Sequence, residues 1–561
     1  MTITASFDTD VVIVGAGPVG LATACALARH GVAFRIFERA PGISGASKGH
    51  NVIARAQELL ASIGVRDTLA KTSYVAPYTQ YMLDGRPIHR QSTRDLPSPY
   101  PDVLFSNQGT IEAELSDHLK AGGHHIEHSH EVRGIDQDAD GVAVTVVPVD
   151  EDGDASGEAM TLRCRYLVGA DGVKGAVRKA VGLDFEAQDL PGWAIRQIDG
   201  TLTWRRPIER DTAFFFLFPH GFAGVLPVWK DQYRLFLLES EEAMPARDPT
   251  REEMVARGRE VTGDATFDIA DPTWVSHGTF RHGVAPSYGA GRVFLVGDAA
   301  HANLPIGGQG MNSGFIDAVS LGWRLAMVLA GAATPTLLDN YAEERHAANR
   351  RLDAQQVRGF RQLMGRGRAA DAVLGAIAGA VPQVADYVFG GSDLAQLDLT
   401  YRDSRLSEDR FARLDPRHVG STRAGDRVPD APLVLNGGEA TTLFDQIRNP
   451  DGRSWGWRLL LLDGGDRETH PHLAAAADAF SSYDWVRPLL VVADLISTGD
   501  EPQMRAAWDL DQVVHQALGL IGAPAILLVR PDGHLSFRGD FNDLSALVDH
   551  VATFAVPMAR S

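Results

Sequence analysis

The amino-acid sequence predicts an α/β fold of several domains, and three observations carry that prediction. The chain opens with an apolar strand, a glycine-rich turn and a helix in VVIVGAGPVGLATACALARH. A second apolar strand, ending in Gly-Asp, lies in VFLVGDAAH, and aromatic-rich alternating segments stand between the two. Because 561 residues exceed what one hydrophobic core usually organises, we expect more than one domain.

The predicted domain order follows the changes of pattern along the chain. Residues 1–185 are expected to form the first part of a Rossmann-like domain, and 186–285, with TAFFFLFPHGFAGVLPVW and YRLFLLES, an inserted mixed β-sheet. Residues 286–400 return to the first domain and add helices. A polar linker at 401–424 leads to a separate α/β domain at 425–561.

Composition narrows the class of protein. The formal net charge of -19 argues against nucleic acid or an anionic membrane as partner. Cys25 and Cys164 are the only cysteines, so we expect buried thiols in a reducing cytoplasm and no metal site. We expect neither export, because the first ten residues are polar and acidic, nor a membrane span, because the longest apolar segment, residues 321–333, is too short and carries Arg324.

The first motif, GAGPVG, has the spacing of a dinucleotide-binding turn. Its glycines allow a tight turn, close approach of a pyrophosphate and packing of helix on strand. Glu38 ends the next strand, where an acid can bond ribose hydroxyls. This motif alone does not separate NAD from FAD.

Two further motifs end apolar strands. Asp171-Gly172 closes YLVGADG and is followed by cations, a pattern that an ordinary strand and turn also explains. Asp298 closes VFLVGD and can accept hydrogen bonds from a polyol such as a ribityl chain. The glycines that follow it, up to Gly310, let a helix N-terminus approach a planar ring and stabilise its negative charge.

Together these segments carry a resemblance. VVIVGAGPVG, GADGVKGAVRK and RVFLVGDAAHANLPIGGQGMNSGFIDA resemble the three fingerprints of single-component FAD-dependent aromatic hydroxylases, the class A flavoprotein monooxygenases. SKGHNVIARAQELLASIGV resembles the flavin-side segment of the phenol hydroxylase and pentachlorophenol monooxygenase branch, and AGDRVPDAPL with LVRPDGHLSFRG resembles that branch's thioredoxin-like C-terminal domain. The resemblance covers nearly the whole chain and implies a GR2-type Rossmann-like FAD domain with an inserted substrate sheet.

The resemblance also implies which residues bind FAD. The ADP portion would be held by the first motif and the end of the second strand, and the flavin portion by the loop before residue 50 and the turn after Asp298. The expected cofactor-binding residues are Gly15, Gly17, Pro18, Val19, Gly20, Glu38, Arg39, Lys48, Gln108, Asp171, Asp298, Pro305, Gly308, Gly310, Met311 and Asn312.

The implied reaction uses tightly but non-covalently bound FAD. NADPH or NADH, binding transiently, reduces the flavin, which adds O2 to form a C4a-hydroperoxide that hydroxylates a phenolic or other aromatic substrate. Epoxidation, Baeyer-Villiger oxidation and antibiotic modification stay open on the same scaffold, as does an FAD-binding protein without oxygenase activity. A small aromatic molecule is the expected partner, and a homodimer is compatible with the resemblance.

Four residues are the candidates for catalysis. His50 lies on the flavin-side loop, where the resemblance places an active-site acid, and an ordinary imidazole pKa would suit a base. Tyr233 and Arg281, with the neighbouring Arg234, belong to the inserted sheet, where an ordinary strand position is the alternative. Pro305 is expected beside the flavin ring.

Overall fold

The computed structural model describes residues 6–43, 49–183, 185, 187–219, 221–243, 245–304, 306–365, 392–411, 422–436, 438–448, 456–493 and 504–556. The helices are α1 (Pro18–Arg29), α2 (Ala54–Ser62), α3 (Arg66–Lys71), α4 (Gln108–Ala121), α5 (Ala176–Ala180), α6 (Arg251–Thr262), α7 (Gln309–Leu329), α8 (Thr336–Met364), α9 (Ser392–Ala395), α10 (Leu443–Ile447), α11 (His470–Ala479), α12 (Val513–Leu518) and α13 (Leu544–Ala552).

The strands form three large sheets and one small one. They are β1 (Thr9–Val14), β2 (Phe34–Glu38), β3 (Asn51–Val52), β4 (Tyr74–Ala76), β5 (Tyr78–Leu83), β6 (Arg86–Ser92), β7 (Val103–Phe105), β8 (Ile126–His128), β9 (His130–Gln137), β10 (Val142–Pro148), β11 (Met160–Gly169), β12 (Gln188–Thr203), β13 (Thr212–Phe218), β14 (Gly221–Trp229), β15 (Gln232–Ser240), β16 (Asp268–Val284), β17 (Gly289–Ala290), β18 (Val293–Leu295), β19 (His301–Ala302), β20 (Glu408–Asp409), β21 (Pro432–Leu435), β22 (Ala440–Thr442), β23 (Trp457–Leu462), β24 (Val486–Val492), β25 (Ala506–Trp508), β26 (Ala525–Val529) and β27 (Leu535–Asp540).

The first large sheet is the expected nucleotide-binding sheet. Its order is β17-β18-β11-β1-β2-β8, with β10 on β11 and β9 on β10, and the neighbours from β18 to β8 run parallel. Helices α1 and α7 pack closely, since a Cβ at Gly322 would lie 2.6 Å from the Cβ of Ala26. All three sequence motifs therefore follow strands of one sheet, at the carboxyl ends of β1, β11 and β18.

The second sheet has the order β19-β16-β12-β15-β14-β13-β5-β6. Only the β13–β5 pair is parallel, so the sheet is mixed as predicted. Three of its strands lie outside the 186–285 segment that the sequence predicted, since β5 and β6 come from residues 78–92 and β19 is His301–Ala302. Strand β6 is not predicted by the sequence because its polar segment, RPIHRQS, lacks an apolar alternation.

The two faces of this second sheet bury different cores. One face packs on α6, with Phe214, Phe216 and Tyr233 among its residues. The other face packs toward the nucleotide-binding domain and contributes to a set that we call the roof cluster. Its residues include Tyr81, Phe105, Leu217, Phe222, Leu226, Phe236, Phe280, Leu304 and Phe360.

The third sheet lies in the C-terminal part of the chain, in the order β20-β27-β26-β23-β24-β25-β21-β22. Strand β20 falls within the predicted linker and pairs with β27. Trp323 and Met327 of α7 share one buried core with Trp457 and Trp485, so this region packs tightly against the nucleotide-binding domain. The α/β class is confirmed, while the thioredoxin-like assignment and the domain boundaries stay predictions.

The described residues contain neither a membrane-spanning helix nor a cluster of metal ligands. No helix among them is long and apolar enough to cross a membrane. Within the same residues, no group of three or more His, Cys, Asp or Glu side chains is arranged to hold a metal ion. Cys25 and Cys164 are both buried as free thiols.

Candidate active site

The glycine turn after β1 is shaped by close backbone contacts. Gly15 has φ +99°, and a Cβ there would lie 2.5 Å from the carbonyl oxygen of Ala170. A Cβ at Gly20 would lie 2.0 Å from the Gly15 oxygen. Gly17 caps α1 without a side-chain hydrogen bond, and a Cβ there would meet nothing within 4 Å. The first-turn N–H groups therefore face open space in which an anionic pyrophosphate fits.

Glu38 reaches this turn from the end of β2. Its Oε2 accepts a hydrogen bond from the Ala16 N–H at 2.7 Å, and its Oε1 accepts one from the Ala40 N–H at 2.9 Å. The carboxylate is thereby held beside the turn, where a ribose would lie. Arg39 is exposed. Pro18 and Val19 have packing roles, since Pro18 starts α1 and Val19 fills the space beside Gly297 and Gly314.

Asp171 supports the same turn from the neighbouring strand. Its Oδ2 accepts a hydrogen bond from the Val177 N–H at 3.0 Å, at the start of α5. Burial raises the pKa of this carboxyl. Because Gly15 lies against the backbone of Ala170 and Asp171, the structure brings the second motif directly behind the first.

The third motif is held by a buried acid that sequence reasoning missed. Asp317 of α7 accepts hydrogen bonds from the Gly297 N–H at 3.0 Å, from His301 Nε2 at 3.0 Å and from Arg345 Nε at 2.6 Å. Burial alone would raise the pKa of Asp317, but Arg345 and His301 hold that pKa below its ordinary value. A charged residue inside the apolar helix sequence GFIDAVSLGW was the available signal.

Asp298 itself projects from this support. It follows β18 and is exposed, although Gly297 and Ala299 on either side are buried. An exposed carboxylate in that position suits the hydroxyls of a ribityl chain. His301 is buried against Asp317 and helps to hold this turn in place.

The glycine turn before α7 is tied to the flavin-side loop. Gly307 and Gly308 have φ of 70° and 63°, and a Cβ at Gly308 would lie 2.1 Å from Asn51 Oδ1. Asn312 Nδ2 donates to the carbonyl oxygens of Asn51 at 3.0 Å and Gly308 at 2.8 Å, while its Oδ1 accepts from the Ile53 N–H at 3.0 Å. Asn312 therefore clamps the two segments together. Helix α7 starts without a side-chain cap, which leaves its N–H groups available to a ring.

Gln108 and Met311 meet the same loop at Gly49. The Gly49 N–H donates to Gln108 Oε1 at 3.1 Å, and a Cβ at Gly49 would lie 3.0 Å from the sulfur of Met311. A Cβ at Gly310 would come no closer than 3.6 Å to Asn303. Lys48 and Pro305, both predicted here, lie outside the described residues.

His50 is joined to the inserted sheet by Arg234. The Nη1 of Arg234 lies 3.2 Å from His50 Nδ1, and its Nε and Nη2 donate to the two oxygens of Asp199 at 2.7 and 2.8 Å. Burial, with the Arg234 charge beside it, lowers the pKa of His50 well below its ordinary value. The ring also stacks on Phe105 of the roof cluster at 5.7 Å between centroids. We call Asp199, Arg234 and His50 the roof triad.

The structure does not bring the other two sheet candidates to His50. Tyr233 lies in the core on the α6 face, because alternate residues of β15 point to opposite faces and Arg234 takes the inner one. Arg281 is more than half exposed and pairs with Asp189 at 2.8 Å. It also lines a surface cavity of about 460 Å³ together with Lys174, Arg178 and Lys179.

These surfaces fit FAD. The uncapped start of α1 faces open space, α7 also starts without a side-chain cap, a carboxylate stands at the end of β2, and an exposed acid follows β18. With the roof cluster over the loop that carries His50, they define a flavoprotein monooxygenase of the aromatic hydroxylase class. The profile of the FAD binding domain family matches residues 8–355, and the chain belongs to that family.

Individual relatives agree with this class. The chain is 30% identical over 448 residues to pentachlorophenol 4-monooxygenase of Sphingobium chlorophenolicum, covering 79% of each chain. It is 30% identical over 513 residues to 12-dehydrotetracycline 5-monooxygenase/anhydrotetracycline 6-monooxygenase of Streptomyces rimosus subsp. rimosus, covering 86% of this chain and 94% of the relative. The solved structure of OxyS anhydrotetracycline hydroxylase from Streptomyces rimosus matches with a TM-score of 0.72 at 28% identity, covering 98% of this chain and 100% of that one. The resemblance stated from the motifs is confirmed.

Proposed function

We propose that this enzyme uses NAD(P)H and O2 to hydroxylate a phenolic or related aromatic compound with bound FAD. The observation that carries the proposal is the position of His50, which lies on the flavin-side loop and stacks on Phe105 of the apolar roof cluster. The net reaction consumes NAD(P)H, a proton, O2 and the aromatic substrate, and it yields NAD(P)+, the hydroxylated product and water. FAD, when bound and reduced, supplies the O2 activation and the oxygen transfer.

The residues that would hold FAD form two groups. The turn Gly15–Gly20 with Glu38 would bind the pyrophosphate and ribose, helped by the positive end of α1. Asp298 would bind the ribityl hydroxyls, and the Gly308–Asn312 segment would present the start of α7 to the ring. Asn312 contributes by fixing the backbone of that segment to β3.

The aromatic substrate would lie under the roof cluster. Its Phe222, Leu226 and Phe236 side chains belong to one apolar set with Leu304, which follows the Asp298 motif, and with Phe360 of α8. Such a lining excludes water and orients a flat ring by contact, so that oxygen reaches the ring and is not lost as hydrogen peroxide.

The electron donor would approach at the cationic cavity beside the Asp171-Gly172 motif. Lys174, Lys179 and Arg281 line it, and Arg178 is buried at its base. Exposed cations attract nucleotide phosphates, and this kind of binding does not require a second Rossmann fold. This arrangement supports transient binding of NAD(P)H, and it leaves the choice between NADH and NADPH to measurement.

The test compares the wild type with Asp298→Ala and with Asp117→Ala, an exposed acid on α4 that serves as the control. Flavin content, NADH and NADPH oxidation under ¹⁸O2, hydroxylated product and hydrogen peroxide are measured with a panel of phenols. We expect bound FAD, phenol-stimulated oxidation and one ¹⁸O atom in the product for the wild type and Asp117→Ala. Asp298→Ala should lose flavin.

The same panel decides between the alternatives. Bound flavin that no nucleotide reduces would favour an FAD-binding protein without oxygenase activity. If no phenol stimulates oxidation, ketones, alkenes and aromatic antibiotics are added to the panel. An oxygen inserted beside a carbonyl, an epoxide or a modified antibiotic would then indicate Baeyer-Villiger oxidation, epoxidation or antibiotic modification on the same scaffold.

A further inference from the structure

The hydrogen bond between Arg234 and His50 fixes the imidazole tautomer. A guanidinium has five N–H donors and no acceptor, so His50 Nδ1 must be the acceptor at 3.2 Å. In the neutral ring, the proton then lies on Nε2. The opposite tautomer would point two N–H groups at each other.

Arg234 is itself held rigidly. It is fully buried, and Asp199, its cross-strand neighbour on β12, takes the Nε and Nη2 donors in a bidentate pair. The indole ring of Trp274 lies on the guanidinium, with 4.7 Å between the guanidinium carbon and the ring centroid. These contacts leave Nη1 aimed at His50 and prevent Arg234 from turning away.

The imidazole lies against the roof cluster, under which the substrate is proposed to bind. The carbonyl of His50 accepts from the Ser106 N–H at 2.9 Å, which fixes the backbone, and the ring stacks on Phe105. Among the described residues, none hydrogen-bonds His50 Nε2. The triad thus ends in a donor that the described residues leave for a ligand.

We propose that the roof triad makes His50 a fixed hydrogen-bond donor that selects aromatic substrates whose hydroxyl binds as the phenolate, with Asp199 and Arg234 as positioning residues. This inference rests on the proposed function and names the ionisation state of its substrate. It also changes the role expected for His50 from the sequence, which was that of a base.

The preference follows from the chemistry of the donor. An Nε2–H stabilises an anionic oxygen about twice as strongly as a neutral one, and the positive Arg234 behind the ring adds to that difference. A neutral phenol can also accept from this Nε2–H, but the bond is weaker, and the phenol needs a separate acceptor for its own proton because Nε2 cannot be one while Arg234 occupies Nδ1. An electron-rich phenolate is also the form of the ring that accepts an electrophilic oxygen most readily.

The test measures binding before any turnover, on the FAD-loaded enzyme without NAD(P)H. The probes are 4-nitrophenol, whose phenolate absorbs at a different wavelength from the phenol, and 4-nitroanisole, which has the same ring without an ionisable oxygen. The variants are His50→Gln, which keeps an N–H donor, His50→Asp, which offers a base, and His50→Phe, which keeps only the ring. Thr203→Ala, an exposed position on β12, is the control.

We expect the wild type, His50→Gln and the control to bind the phenolate at least about tenfold more tightly than 4-nitroanisole and than the neutral phenol. His50→Asp and His50→Phe should lose that preference. The reverse order, with His50→Asp retaining phenol binding and His50→Gln losing it, would overturn the proposal and make position 50 a base. Equal binding of the neutral and ionised forms by the wild type would overturn it as well.

Turnover is scored separately with NAD(P)H and O2. Phenolate selection without any hydroxylated product would contradict the proposed function and leave the triad's role intact. Product formation without phenolate selection would contradict the triad's role and leave the proposed function intact.

Discussion

Two buried polar networks that contain arginine end differently in this molecule. The roof triad runs from Asp199 through Arg234 to a ring nitrogen that the described residues leave for a ligand. The second set, which we call the junction network, joins α2, α7 and α8 to the C-terminal sheet and ends on protein at both sides. Its residues are Arg55, Glu58, Arg324, Glu344, Arg427, Arg530 and Asp532.

The difference lies in how the carboxylates are shared. Glu58 is bonded by Arg55 and Arg427, and Glu344 by Arg324 and Arg530, so each buried acid faces two cations from different parts of the chain. In the roof triad one acid, Asp199, accepts from Nε and Nη2 of one arginine, and Nη1 of that arginine lies beside His50 Nδ1. A network closed on itself serves stability, whereas one that leaves a donor to a ligand serves binding.

The largest loss of stability is expected when one charge is removed from the junction network. Glu344→Gln leaves Arg324 and Arg530 buried with reduced compensation, and we expect the free energy of unfolding to fall by about 3–5 kcal/mol. Its neighbour Glu343 pairs with Arg405 on the surface, so Glu343→Gln should change stability by less than about 1 kcal/mol. Denaturant unfolding of both variants measures the effect, and equal losses would contradict a special role for the junction.

The matching change at the roof removes both charges together. In the double variant Asp199→Leu with Arg234→Met no charge is left unpaired, so stability should stay within about 2 kcal/mol of the wild type. Phenol hydroxylation should fall at least about tenfold, because the His50 tautomer is no longer fixed. Unfolding and product assays on one preparation check both expectations. Unchanged turnover would show that the triad does not serve catalysis.

Acid should destabilise the protein through the buried histidines of the C-terminal region. Burial lowers the pKa of His534 and of His550 to about 4, below the unfolded value near 6.5. Between these two pKa values the unfolded chain binds more protons than the folded chain. The free energy of unfolding should therefore decrease as the pH is lowered, by roughly 1 kcal/mol per pH unit for each histidine. Unfolding followed by the fluorescence of the buried tryptophans at pH 7 and pH 5 measures this loss. His550→Asn should make the slope shallower, and an unchanged slope would exclude His550 as a contributor.

The smallest effect is expected at the surface cavity. Arg281→Ala and Lys179→Ala should each raise the KM for NAD(P)H a few-fold, with kcat unchanged, because exposed charges contribute about 0.2–1 kcal/mol each. Added salt should reduce the difference from the wild type. A fall in kcat without a change in KM would instead return Arg281 to the catalytic role that the sequence suggested.

Residues on the side proposed for the flavin can be read from local sequence more directly than residues on the side proposed for the substrate. Gly15, Glu38 and Asp298 each follow a short apolar strand, and their spacing along the chain carries the information. On the inserted sheet the prediction named Tyr233 and Arg281 ahead of Arg234. The LFLL run of β15 is apolar on both faces, so the sequence does not show which of its alternate residues point toward which core. Asp317 and Asp199 were missed because each acts through a residue far away in the chain.

By itself, the sequence determined the class of the protein and its cofactor, because glycine turns and strand-terminal acids are local features whose chemistry follows from backbone geometry. The tertiary structure alone decided which side chains meet at the proposed substrate space. His50 and Arg234 are separated by 184 positions and Arg234 and Asp199 by 35, and they come into contact only when the sheet folds over the flavin-side loop. The physical reason is that a hydrogen bond depends on distance in space, and pairing across strands sets that distance independently of separation along the chain.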